Sequence, residues 1–345
     1  MARTLRSKPS LDWLRLTDQQ LLDRTIASLD LSLEGSMVAP LLERLDAELE
    51  RRGLRFRPYT WLSTDWFTPD GATGFAIPFY LAHPRLVALE RRQMLEVEGG
   101  SKDECLKILR HETAHALDNA YRLRRKKLWR ETFGSASDPY DSSYTPDPTS
   151  RSHVLNLDHW YSQSHPLEDW AETFAVWLQP GSRWRKRYAG WPALKKLEAV
   201  EQLVDGIATE RPAVRSRFKE DPAHRLQTTL RELYTRKKAV YAEESNPAFD
   251  GQLSRVFPPA EDAPGRPRAA AFLRESRRAL ISRVSHATGQ HRYLLDHVLR
   301  EMMACCKQKD LRLGSTRSDA TVDAAVVLTS LSSHFLYGAH PRYQR

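Results

Sequence analysis

Ser101-Lys102-Asp103-Glu104-Cys105-Leu106-Lys107-Ile108-Leu109-Arg110-His111-Glu112-Thr113-Ala114-His115-Ala116-Leu117-Asp118-Asn119-Ala120 decides how the chain is read. Ser101 and Glu104 have capping-box spacing, so a helix starts here, directly after Gly99-Gly100. Cys105, Ile108, Leu109, Ala116, Leu117 and Ala120 supply an apolar face. Helical residues advance about 100° each, so His111 and His115 stand about 40° apart and one turn along. Two imidazoles so placed can bind one tetrahedral metal ion from the same side. Glu112 sits one step round, close enough to take a proton from a water at that ion.

Two histidines leave room for a third protein ligand. The stretch His165-Pro166-Leu167-Glu168-Asp169-Trp170-Ala171-Glu172-Thr173-Phe174-Ala175 offers one, on a helix over about 166–178 that stops at Pro180-Gly181. Glu168 and Glu172 share a helical face, so one can bind metal while the other orients a ligand histidine. Trp170, Phe174, Trp177 and Leu178 form a separate stripe that reads as core. Ala171 and Ala175 are small enough to let this helix approach the His111 helix closely.

Working outward, residues 17–31 and 37–52 read as amphipathic helices, the second ended by Gly53. Leu54–Arg57 alternates like a strand. Strand-like pieces follow at 61–67 and 74–81 around the turn Pro69-Asp70-Gly71. Residues 134–152 are rich in Ser, Pro, Asp and Tyr and read as a long loop, which would cover the cleft with Tyr140 and Tyr144. Beyond about 215 the pattern is all-helical, with a stripe Leu226, Leu230, Leu233, Val240 and Tyr241. A proline-rich linker over 257–267 precedes helices at 291–308 and 319–337. His291, His297 and His334 lack ligand spacing. Met302, Met303, Cys305 and Cys306 lie on an amphipathic helix as core or interface. The expected organisation is α+β: an N-terminal helical segment (1–54), a domain with a small mixed sheet and the His111 helix (55–212), and an all-helical C-terminal region (213–345).

Composition narrows the function classes. The chain has 345 residues, 28% charged and 41% hydrophobic, which suits a globular protein of two domains. No stretch is apolar enough to span a membrane, and the N-terminus lacks the apolar core of a secretory signal, so a cytoplasmic location is expected. Three cysteines, Cys105, Cys305 and Cys306, make neither a disulfide framework nor a Cys-x-x-Cys zinc pair. Any metal must be held by His and carboxylate. The net charge of +9 gathers in runs such as Arg122, Arg124, Arg125, Lys126, Lys127 and Arg183, Arg185, Lys186, Arg187. No nucleic-acid motif accompanies them, so they read as solvated helix faces and ends.

The pair His111-Glu112-x-x-His115-Ala116-Leu117-Asp118 and Glu168-Asp169-Trp170-Ala171-Glu172 resembles the gluzincin peptidases, with a similar pairing in anthrax lethal factor. A closer resemblance is to a bacterial family of zinc-binding metallopeptidases. It rests on Ile77-Pro78-Phe79-Tyr80, Glu98-Gly99-Gly100, Leu109-Arg110-His111-Glu112, Trp160-Tyr161-Ser162-Gln163-Ser164-His165-Pro166, Glu168 to Phe174, and Gly190-Trp191-Pro192-Ala193-Leu194, covering about 55–210. Some members carry an N-terminal zinc ribbon that this chain lacks. The resemblance implies a zincin-like fold, Zn2+ held by His111, His115 and Glu168, Glu112 as general base, and Glu172 as the acid supporting a ligand His. It also makes Tyr161 a candidate oxyanion donor, with His165 its rival, and Asp118 a candidate support for the site. The expected activity is hydrolysis of a peptide or protein substrate by Glu-assisted attack of zinc-bound water. In such folds a substrate adds to an edge strand, for which 74–81 is the candidate.

Two other readings stand beside it. One is a non-catalytic zinc-containing regulatory or binding protein. The other is a DNA-associated protease, suggested by the positive charge, in which His153, His159 or His165 would replace Glu168 as ligand. The sequence leaves the oligomeric state and the role of the C-terminal helices open.

Overall fold

Ser101 opens the central helix as its capping residue: its hydroxyl accepts the Glu104 N–H at 3.2 Å. The computed structural model describes residues 11–140, 144, 146–240 and 249–338. In chain order these form α1 (Asp18–Leu22), α2 (Ala39–Arg51), β1 (Tyr59–Ser63), β2 (Gly74–Pro78), α3 (Pro84–Met94), α4 (Lys102–Tyr121), α5 (Lys127–Phe133) and α6 (Pro166–Leu178). They continue with α7 (Trp184–Arg187), α8 (Ala193–Asp205), α9 (Leu230–Val240), α10 (Phe249–Val256), α11 (Ala269–Thr288), α12 (Arg292–Gln308) and α13 (Arg317–Gly338). The described chain is therefore α-rich with one two-stranded parallel sheet, an α+β arrangement in that coarse sense.

The chain divides into two compact units. The first comprises the described residues up to Arg91 together with Val97–Glu232, and the second comprises Arg92–Glu96 and the described residues from Leu233 onward. Residues 213–221 thus group with the sheet, where the sequence reading starts a C-terminal helical region. Their backbone carbonyls hold them there. Ser216 accepts from the Thr73 hydroxyl at 2.8 Å, Glu220 from the Trp61 indole at 2.9 Å, and Asp221 from the Ser63 hydroxyl at 2.8 Å. The N-terminal helices belong to this first unit as well.

β1 and β2 run parallel with Trp61 opposite Ala76. Gly74 is required by this pairing: a Cβ there would meet the Tyr59 carbonyl oxygen at 2.0 Å. The strands are shorter than the apolar runs suggest. Phe67 leaves β1 and makes an isolated antiparallel bridge to Ala76, and Phe79–Ala82 turns into a 3-10 helix. Leu54–Arg57 forms no strand. β2 is buried along its whole length, and the Ala76 N–H already donates to the Phe67 carbonyl at 2.8 Å. The 74–81 segment therefore offers no open edge at Ala76 for an added peptide strand.

The expected helix over 17–31 is broken for a similar reason. α1 ends at Leu22, because Ile26 and Ala27 donate their N–H groups to the carbonyls of Thr228 and Leu226 and Thr25 bridges Thr229. These tertiary partners take the donors a helix would need.

α4 and α6 pack together at the centre of the first unit. Ala171 and Ala175 are fully buried, and the Trp170 indole donates to the Ala114 carbonyl at 3.0 Å. The expected aromatic stripe of α6 is buried as well, with Trp170 reaching α4. Phe133, Trp170, Phe174 and Trp177 form a chain of rings with centroids 5.6–5.8 Å apart. α2 docks on α4 through a buried ion pair, in which the Arg110 guanidinium donates to both oxygens of Glu48 at 2.7 and 2.9 Å.

The second unit has its own core, containing Phe257, Phe272, Leu280, Leu295, Leu299, Met302 and Leu328. Met302 and Cys306 are buried in it, and Met303 and Cys305 pack against it partly exposed, as the helix pattern suggests. The 257–267 segment is not a loose linker. Phe257 is fully buried, Pro259 bridges Leu311, and the Arg312 N–H donates to the Pro258 carbonyl at 2.8 Å. In the 226–241 stripe, Leu230 and Leu233 are buried but Val240 is exposed, and Tyr241 lies outside the described residues. No helix among the described residues is long and apolar enough to cross a membrane.

Candidate metal centre

The middle of α4 carries His111 and His115 one turn apart, and the first turn of α6 carries Glu168. Close packing of the two helices brings three donor atoms together. His111 Nε2 lies 3.0 Å from Glu168 Oε2, His115 Nε2 lies 3.4 Å from the same oxygen, and the two Nε2 atoms are 3.1 Å apart. A tetrahedral ion with ligand bonds of about 2.0–2.1 Å requires ligand-to-ligand edges of about 3.3 Å. Glu168 Oε2 is buried and has no hydrogen-bond partner, the condition of a carboxylate oxygen shaped to meet a cation. Two imidazoles and a carboxylate suit several divalent metals. Among the described residues, His111, His115 and Glu168 alone form a group that can hold a metal ion. His115 is the member of this group nearest solvent, its side chain 15% exposed against 5% for His111.

The contacts around this group are equally specific. His111 Nδ1 lies 2.9 Å from Glu172 Oε1. A carboxylate only accepts, so Nδ1 carries the proton and Nε2 is left to face Glu168 and His115. Glu172 is itself fixed: Oε1 also accepts from Asn156 Nδ2, and Oε2 accepts the Leu157 N–H, both at 2.7 Å. Glu168 Oε1 accepts the Tyr140 hydroxyl at 2.7 Å. Thus Glu172 stands behind His111, while Glu168 stands with the two histidines.

Glu112 is buried next to His111, and its Oε2 accepts the Thr68 hydroxyl at 2.8 Å. Thr68 belongs to the loop joining β1 to β2. The same loop is pinned to α4 by Asn119, which donates to the carbonyls of Pro69 and Ala72 at 3.0 and 2.8 Å. The sheet therefore orients the carboxylate that α4 carries.

Charge follows this arrangement. Burial works to lower the His111 pKa, but Glu168 and Glu172 prevail and raise it well above the usual imidazole range. Burial works to raise Glu168, and His115 and His111 hold it well below the carboxylate range instead. Glu112 is pushed up by burial, against the pull of His111 and His115. The two carboxylates thus favour positive charge at His111; a cation bound there would have to displace the second imidazole proton, since a histidine ligand is neutral.

Tyr161 is buried with its ring 5.7 Å from that of His111. It follows two consecutive non-glycine residues in left-handed backbone, His159 (φ 61°) and Trp160 (φ 52°). Such residues cost about 1–2 kcal/mol each, and strain of this kind gathers at functional sites.

His165 is used differently from the expectation. Its Nδ1 accepts the Leu167 N–H at 3.1 Å and caps α6, and its Nε2 lies 2.9 Å from the Asp138 carbonyl. Both ring nitrogens are thereby engaged with backbone, which leaves neither for a substrate oxygen. Asp118 is engaged as well: its carboxylate accepts the Arg124 N–H at 2.7 Å and the Arg124 guanidinium, and so fixes the end of α4. His153 lies 3.9 Å from Asp169, away from the ligand group. His291 caps α12 and faces Glu96 at 3.0 Å in the second unit.

Thr68, Asn156 and the Leu157 N–H escape the sequence reading. None carries a motif, and each acts from outside the helix whose residue it supports. Comparison with protein-family models, with curated proteins and with solved structures returned no match for this chain.

Proposed function

We propose that the chain is a zinc-dependent metallopeptidase in which Glu112 is the general base. The observation that carries the reading is the convergence of His111, His115 and Glu168 at 3.0–3.4 Å, with Glu112 one residue from His111 on the same helix. Zinc is the ion favoured by a His, His, Glu set with an exposed side, and when bound it supplies Lewis acidity that polarises a carbonyl and lowers the pKa of water to about 7. The motif resemblance to gluzincin-like bacterial metallopeptidases favours the same assignment, and the zincin-like character of the first unit is part of the proposal.

The chain's own residues divide the remaining work. Glu172, braced by Asn156 and Leu157, orients His111. Thr68 holds the Glu112 carboxylate from the sheet side. Glu112 takes a proton from the attacking water as its oxygen bonds to the peptide carbonyl carbon. It delivers that proton to the amide nitrogen as the C–N bond breaks. Tyr161 is the donor assigned to the developing oxyanion, since the nitrogens of His165 are engaged elsewhere. The substrate is a peptide or an unfolded protein segment, entering on the side where His115 and Tyr140 approach solvent.

Elemental analysis of the purified wild type, Glu168→Ala, Glu172→Ala and Glu112→Gln tests this reading, with cleavage of an unfolded protein assayed in parallel. The expected result is near-stoichiometric zinc in wild type, loss in Glu168→Ala, weakening in Glu172→Ala, and retention without cleavage in Glu112→Gln. Wild type without zinc, or Glu112→Gln cleaving at the wild-type rate, refutes it. Zinc held tightly by a wild type that cleaves nothing transfers the weight to a non-catalytic metal-holding protein.

A further inference from the structure

The structure points to Tyr140 as a positioning residue of the metal centre: its hydroxyl fixes Glu168 so that Oε2 is the oxygen turned to His111 and His115. We make this inference on the basis of the metal-centre reading above. The Tyr140 hydroxyl donates to Glu168 Oε1 at 2.7 Å, while Oε2 of the same carboxylate is buried without a hydrogen-bond partner. A carboxylate rotates about its last torsion with a broad, roughly two-fold preference, so nothing intrinsic to glutamate decides which oxygen faces the histidines. A donor on one oxygen makes that choice.

Tyr140 is itself held in place. Its ring stacks on His165 with centroids 3.8 Å apart and planes 17° from parallel. His165 is fixed in turn by the Leu167 N–H and the Asp138 carbonyl. Asp138 and Tyr140 thus sit against the capping residue of α6, close to the helical turn that carries Glu168. This gives His165 a purpose besides capping: it is the platform for the tyrosine. The arrangement repeats the logic at His111, where Glu172 fixes the ring through the nitrogen that does not face the ligand group. Tyr140 is 42% exposed, so part of its ring also faces solvent.

Removal of the hydroxyl leaves Glu168 Oε1 without this donor and frees the carboxylate to turn. Loss of an outer contact of this kind costs about 10–100-fold in metal affinity. The test uses Tyr140→Phe, which keeps the ring stack on His165, with zinc affinity measured by chelator competition. Cobalt substitution adds the visible spectrum as a report on ligand arrangement, and thermal melting of the metal-free proteins reports on folding. The expected result is zinc affinity at least about ten-fold weaker than wild type, an altered cobalt spectrum, and an unchanged metal-free melting temperature. Wild-type affinity and spectrum in Tyr140→Phe, alongside weakened binding in Glu172→Ala, overturn the role of Tyr140 and leave the metal centre intact. An affinity loss matched by a lower metal-free melting temperature also overturns it, in favour of a purely structural tyrosine. Failure of the wild type to bind zinc or cobalt overturns the metal centre and this inference together.

Discussion

Replacing Glu48 with Ala should be among the most damaging single changes in the first unit, although Glu48 lies outside the His111, His115 and Glu168 group. Arg110 immediately precedes His111, and its side chain is only 3% exposed. Its guanidinium donates to both Glu48 oxygens at 2.7 and 2.9 Å, and Arg44 adds a third donor to Glu48 at 3.1 Å. Truncation leaves a buried cation with no counter-charge, which typically costs about 3–5 kcal/mol. Against a total stability of about 5–15 kcal/mol, that is about a fifth or more of what holds a domain folded. With a urea m-value of about 2 kcal/mol/M, a loss of about 4 kcal/mol lowers the unfolding midpoint by about 2 M. Urea titration followed by tryptophan fluorescence reads this directly, because Trp129, Trp170 and Trp177 lie in the same unit. The double variant Glu48→Leu/Arg110→Met distinguishes a buried unpaired charge from a merely altered contact. It should recover most of the loss, since apolar replacements of a buried pair are often neutral or stabilising. An unchanged midpoint in Glu48→Ala, or a double variant no better than the single one, refutes the reasoning.

Burial, reinforced by Glu104 at Cys105 and Cys305 at Cys306, pushes both thiols up to about 12. A thiol-specific disulfide reagent at pH 8 should therefore modify only Cys305 in the native protein and all three cysteines in denaturant. Burial, aided by the neighbouring Lys196 charge, pushes His153 down to about 4. The unfolded imidazole then takes up its proton first, so this group's contribution is complete above about pH 6.5 and is lost as pH falls toward about 4. A His153→Gln variant should lose less stability than wild type between pH 7 and pH 4.5, as measured by urea midpoints at the two values. Phe174→Ala removes a fully buried ring between Trp170 and Trp177 and should cost about 3–5 kcal/mol in the same titration.

Much of the candidate metal centre is legible in the sequence, because its decisive features are local. The spacing of His111 and His115 fixes their common face, Ser101 and Glu104 fix the start of the helix, and Ala171 and Ala175 announce a close approach. The position of Glu168 beside the histidines follows from that approach. What is not legible depends on partners distant in the chain. Thr68 reaches Glu112 only because the sheet crossover loop lies on α4, and β1 and β2 pair in parallel, which the turn at 69–71 does not disclose. Residues 17–31 have a helical pattern, yet tertiary contacts override it: Ile26 and Ala27 give their N–H groups to Thr228 and Leu226. His165 has the residue type for catalysis, and only the geometry shows it committed to a helix cap and a stacking platform.

The ligand group also has a topological meaning. His115 and Glu168 lie on different helices, with residues 116–167 between them. An ion held by both would join the ends of a loop of roughly 50 residues, whose closure costs an open chain about 4 kcal/mol in entropy. In that respect the ion would behave as a cross-link does, in a protein whose three cysteines form no disulfide, restricting the unfolded chain wherever it stays bound. Chelation would then act on two states at once, removing contacts from the folded protein and returning to the unfolded one the freedom of the segment the ion had tied.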